Sequence, residues 1–66
     1  MKFIGLDIGD RRIGIAFGDS ALRIATPVAV LVRTSPEQDA RAIADFVKDY
    51  DATQLIAGLP RSMDGT

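Results

Sequence analysis

Sixty-six residues with a formal net charge of -1, 47% hydrophobic and 26% charged, describe one small globular domain at most. A chain of this size buries only about 60% of the surface its unfolded form exposes, so its stability is marginal. With no cysteine and no histidine, it excludes disulfides, thiolate nucleophiles, imidazole bases and zinc sites built on those ligands, leaving oxygen ligands and hydroxyls.

Phe3, Ile4, Leu6 and Ile8 open the chain as a strand. After the turn signal Gly9-Asp10, alternation resumes with Ile13, Ile15 and Phe17 on one side and Gly14, Ala16 and Gly18 on the other, which predicts a hairpin. A polar link from Asp19 to Arg23 leads to a third strand over residues 27–32, where Pro27 suits a strand start or a sheet edge. A helix follows: Ser35 can cap it, Pro36 fits its first position and Gln38 can complete a capping box. Ala40, Ile43, Ala44, Val47 and Tyr50 form its apolar stripe, with Arg41, Asp45, Lys48 and Asp49 facing water. Residues 51–53 end it. The nearly continuous apolar run 55–59, stopped by Pro60, reads as a fourth strand buried on both faces.

The order βββαβ predicts an α/β fold. In a meander the third strand runs with the first, and a right-handed helical crossover delivers the fourth parallel to both. Pairing the fourth strand beside the first gives a mixed sheet of order 3-2-1-4 with one covering helix. One sheet margin then collects the end of the first strand, the hairpin turn and the loop after the fourth strand, the place where parallel-containing sheets bind ligands. A single helix leaves the other face bare, so the remainder of a larger domain, a second copy or another partner is expected there. No apolar run approaches the ~20 residues needed to cross a bilayer, and no signal-peptide pattern precedes the first strand. A cytoplasmic protein without a membrane partner is the expectation.

Asp7 stands out because aspartate is depleted in strands, and a charge in a central strand is costly unless paired or bound to a cation. Two readings stay open: it bonds turn amides or Arg12 and shapes the hairpin, or it ligates Mg²⁺ or Mn²⁺. Asp10, Asp19 and Asp64 are the acids that could assist it. Gly14 and Gly18 read as packing glycines, whereas Gly9, in the turn, lets a ligand's backbone approach. Arg11, Arg12 and Arg61 fall at the same margin and together could hold nucleic-acid phosphates. Glu37, Asp39, Arg41, Lys48 and Asp49 read as solvated helix face, and Ser62 and Thr66 lack a base partner for nucleophilic work.

The segments Gly5-Leu6-Asp7-Ile8-Gly9, Arg12-Ile13-Gly14-Ile15-Ala16 with Asp19, Gly58-Leu59-Pro60 and Met63-Asp64-Gly65-Thr66 closely resemble the N-terminal half of the YqgF (RuvX) family. That family has a ribonuclease H-like fold and is described as a Holliday-junction resolvase and a nuclease maturing the precursor of small-subunit ribosomal RNA. The resemblance implies that residues 1–66 are the N-terminal part of a ribonuclease H-like nuclease domain, with Asp7 as its first-strand catalytic and metal-binding carboxylate. Gly58, Pro60, Asp64 and Gly65 correspond to its second motif loop. The family's remaining acids lie beyond Thr66, so the implied two-metal hydrolysis would need residues outside this chain, which alone would be inactive. Precursor ribosomal RNA or branched DNA is the implied partner. Two other readings compete: a half-domain of an actin-like ATPase or sugar kinase, against which Arg11 and Arg12 replace the small residues of a phosphate loop, and a non-catalytic nucleic-acid-binding module.

Overall fold

The computed structural model describes residues 1–58; the expectations placed on Pro60, Arg61, Asp64 and Gly65 lie outside the described residues. Its elements are β1 (Lys2–Ile8), β2 (Arg12–Asp19), β3 (Ile24–Val32), α1 (Pro36–Asp49) and β4 (Gln54–Ala57). They form one sheet of order β3-β2-β1-β4, antiparallel across β1–β2 and β2–β3 and parallel across β1–β4. This is the mixed α/β arrangement expected from the sequence.

β3 begins three residues earlier than Pro27, because Ile24, Ala25 and Thr26 already pair with Asp19, Gly18 and Phe17. Pro27 instead sits inside this edge strand at a register shift, where Ile15 faces Ala29 and Ala16 faces Pro27, leaving Val28 as the extra residue. Proline's missing N–H is tolerated at such an edge bulge.

Register sorts the side chains by face, since successive residues of a strand point to opposite sides. Ile4, Leu6, Ile13 and Ile15 share one face and form the buried cluster. From α1, Ile43, Phe46 and Val47 pack against it, joined by the C-cap residue Tyr50, whose ring centroid lies 4.9 Å from that of Phe17. The helical stripe is therefore rotated from the expected one: Phe46 faces the sheet, while Ala40 and Ala44 are exposed and line an apolar groove beside β4.

The helix starts as its sequence dictates, with the Ser35 hydroxyl accepting from the Gln38 N–H at 3.2 Å. The reach back toward the preceding chain comes from Asp39 rather than Gln38: its carboxylate accepts from both the N–H and the hydroxyl of Thr34 at 3.1 Å. Asp39 is thus a capping residue and not merely solvated face. The helix ends in a Schellman arrangement, with Ala52 N–H bonded to the Val47 carbonyl, Asp51 N–H bonded to that of Lys48, and Asp51 left-handed at φ 56°.

The expectation that β4 is buried on both faces is overturned. All four of its residues are exposed, Leu55 at 52% and Ile56 at 38%. β4 lies at the sheet margin with β1 as its paired neighbour, and α1 sits over the β1–β2 cluster rather than over β4. On the face away from α1, Val30 and Val32 are exposed at 65% and 69%, so the expected bare face is present among the described residues.

Candidate functional site

β1 ends and β2 begins at one margin of the sheet; the meander returns the end of β3 there, and parallel β4 ends there too. This topology gathers Asp7, Gly9, Asp10, Arg11, Arg12, Arg33 and Gly58.

Asp7 pairs across the ladder with Gly14, and a Cβ added at Gly14 would lie 3.5 Å from that of Asp7. By alternation Asp7 lies on the face opposite the Ile4–Leu6 cluster and hence away from α1. Its side chain is exposed, and among the described residues its carboxylate accepts no hydrogen bond and forms no ion pair. The reading in which Asp7 merely ties down turn amides or Arg12 has no contact to support it. Arg12 shares its face by the same alternation, opposite Val32.

The turn is tight at Gly9, whose N–H donates to the Arg12 carbonyl at 2.8 Å; a Cβ on Gly9 would stand 3.1 Å from that oxygen. Asp10 and Arg11 form bends with no return bond from the Arg12 N–H to the Gly9 carbonyl, making this an open turn. Both of its outward carbonyls are held by one residue absent from the sequence expectations. Arg33 donates its backbone N–H to Arg11 and its guanidinium Nη1 to Gly9, each at 2.8 Å. The signal was available in the topology, since a residue directly after the third strand of a meander must arrive beside the first hairpin turn.

Gly58 continues the ladder by donating its N–H to the Leu6 carbonyl at 2.9 Å, then turns the chain at φ +74°. Among the described residues nothing lies within 4 Å of a Cβ built there, and the backbone angle itself calls for glycine.

Asp19 is removed from the acids that could assist Asp7. It pairs with Lys2 at the far end of the hairpin, about 17 Å from Asp7 by strand rise. There its carboxylate accepts from the Ala21 N–H at 2.9 Å and from the terminal ammonium of Met1 at 3.2 Å. Those bonds hold its pKa below the ordinary 3.8, the Ala21 amide contributing most. Among the described residues no three acidic side chains converge on a metal position. The donor chemistry at Asp7, a carboxylate on a strand with no competing partner among the described residues, fits a hard divalent cation and would amount to one ligand of a set.

Compared with known proteins, residues 1–66 match throughout the family model described as RuvX, Holliday junction resolvase. The chain belongs to the RuvX family. It is 48% identical over 65 residues to a protein of Desulforudis audaxviator (strain MP104C), covering 98% of this chain and 46% of the relative. It is 44% identical over 66 residues to one from Anaeromyxobacter sp. (strain K), covering 100% of this chain and 48% of the relative. Both relatives bear the name "Putative pre-16S rRNA nuclease". This RuvX-family chain thus spans about half the length of the curated relatives it matches. Among the described residues no helix is long and apolar enough to cross a membrane.

Proposed function

We propose that this chain supplies the first-strand carboxylate and part of the phosphate-binding margin of a metal-dependent nuclease, acting in the cytoplasm on phosphodiesters of nucleic acid. One observation carries the reading: Asp7 is exposed and, among the described residues, unpartnered at the end of a central strand, on the face away from α1, beside an arginine-bearing turn. Family membership and the relatives' names support it. In the same reading, residues 1–66 are the N-terminal part of a ribonuclease H-like domain and are inactive alone.

Asp7 would hold Mg²⁺ or Mn²⁺ together with carboxylates from outside residues 1–58. When bound, such a metal supplies an activated water and charge stabilisation at the scissile phosphate. The chain's own residues do the rest. Gly14, opposite Asp7, and Gly9, in the turn, add no side chain beside the carboxylate, so a sugar–phosphate backbone can come close. Arg11 and Arg12 offer guanidinium forks for flanking phosphates, contacts that set register without reading bases. The relatives' names favour precursor 16S ribosomal RNA as the substrate, and the family description keeps the four-way DNA junction as the comparison.

The test uses a protein of the relatives' length carrying Asp7→Asn, assayed on both substrates. Cleavage is expected to fall by at least about 100-fold, since losing a metal ligand costs no less than losing a residue that orients one, while binding stays near wild type. Unchanged cleavage removes Asp7 from the chemistry.

A further inference from the structure

The geometry points to Arg33 as a positioning residue of this site: by clamping the Gly9 and Arg11 carbonyls, it fixes the turn that connects Asp7 to Arg12. The inference rests on the nuclease reading above for its effect on cleavage, and on the hydrogen-bond pattern alone for its effect on the turn.

A four-residue turn ordinarily holds itself together with a bond from the fourth N–H to the first carbonyl, and many turns lack it. The turn at Gly9–Arg12 lacks it. A glycine at its first position and the exposed Asp10 and Arg11 at its apex leave such a segment with considerable conformational entropy to lose on ordering. What replaces the missing bond comes from 24 residues away, as the Arg33 guanidinium on the Gly9 carbonyl at 2.8 Å. The Arg33 amide bonds the Arg11 carbonyl at the same distance, so the clamp grips the turn at two points spaced two residues apart.

The consequence follows from peptide planarity. Fixing the direction of a carbonyl also fixes that of the following amide, because the peptide group is rigid and trans. Arg33 therefore orients the 9–10 and 11–12 peptides, one on each side of the Asp10–Arg11 apex. Arg12 begins β2 two positions before Gly14, the residue facing Asp7, so an error in the turn is passed directly to the pairing beside the carboxylate. A guanidinium suits this task better than an ammonium, being a planar, always-charged donor whose geometry is set in advance. Its charge on a neutral carbonyl also makes a stronger bond than an amide would.

Two measurements on the protein of the relatives' length decide it. In Arg33→Ala, exchange of the Gly9 amide, the turn N–H that is bonded to the Arg12 carbonyl, is expected to speed up at least about 10-fold while exchange in the rest of the β1–β2 ladder does not change. Cleavage is expected to show a fall in kcat of about 10-fold with KM within about twofold, and Arg33→Lys is expected to recover part of kcat by restoring one donor. Unchanged exchange at the Gly9 amide overturns the clamp. A rise in KM with a shallower salt dependence of binding and unaltered kcat also overturns it, by making Arg33 a phosphate contact instead. A general loss of ladder protection that Arg33→Lys does not repair assigns Arg33 to the fold alone. Failure of the nuclease reading would show separately, as Asp7→Asn with full activity, whatever the exchange at the turn.

Discussion

Gly14 and Gly18 occupy equivalent positions on the open side of β2, four residues apart, and a methyl group at each would meet different surroundings. At Gly18 it would run into the Phe3 ring and stand 2.5 Å from the Ile24 carbonyl; at Gly14 its nearest neighbour would be the Asp7 Cβ at an ordinary 3.5 Å. Phe3 is 8% exposed, held against Gly18 on the open face of the sheet, so this contact cannot relax without moving a buried ring. Gly18→Ala is expected to cost about 1–3 kcal/mol, the usual range for overpacking. Gly14→Ala should shift stability by less than about 0.5 kcal/mol. Denaturant midpoints of the two variants in the protein of the relatives' length check this, and equal midpoints would refute the distinction. Period-two alternation placed both glycines on one face but could not tell them apart, because what separates them is the residue across the ladder. The same limit hid Arg33, whose role depends on two carbonyls more than twenty residues upstream. Asp7 was legible for the opposite reason: a lone acid in an apolar strand conflicts with its local surroundings, and that conflict is visible without any partner.

At the level of elements, most boundaries followed from chemistry contained within a few residues. Ser35 and Pro36 announced the helix, Gly9-Asp10 the hairpin, and a single crossover fixed the strand order. Errors arose where a tertiary neighbour decides. Of the two places Pro27 suits, a strand start or a sheet edge, it takes the edge, but inside the strand at a bulge; the apolar run of β4, which predicts burial, is exposed because of its place at the margin. The C-terminus of α1 shows a local compromise that composition does not reveal. Its Schellman bonds require a left-handed residue, and the position holds Asp51 at φ 56° rather than glycine. An L-residue pays roughly 1–2 kcal/mol for that conformation, aspartate somewhat less, and glycine pays instead in unfolded-state entropy. Asp51→Gly is therefore expected to raise stability by about 0.5 kcal/mol. Thermal unfolding of the longer protein measures it, and a lower midpoint would mean that the Asp51 side chain contributes more than its backbone strain removes.

Across the whole molecule, the two faces of the sheet are unequal. One carries Ile4, Leu6, Ile13 and Ile15 under α1, and the other presents Val30, Val32 and Ile56 to solvent, each paired in register with Arg12, Gly14 or Gly5 on the same side. Asp7 lies on this second face, so whatever covers the valines also borders the carboxylate. Exposed apolar strands of this kind drive association when nothing lies over them. Residues 1–66 expressed alone are accordingly expected to self-associate, and Val30→Thr with Val32→Thr to reduce that association, as read by sedimentation. In the protein of the relatives' length the same pair should behave in the reverse sense: if the added length packs on this face, losing two buried methyl-bearing contacts costs about 1–3 kcal/mol, with no gain in solubility. A monomeric isolated chain, together with a double variant that is neutral in the longer protein, would show that the face is open in the working molecule. Asp7 would then meet its substrate on a bare sheet rather than in a cleft. The contrast between the two lengths matters more than either value, because it separates a surface built for the rest of its own domain from one built to stay wet.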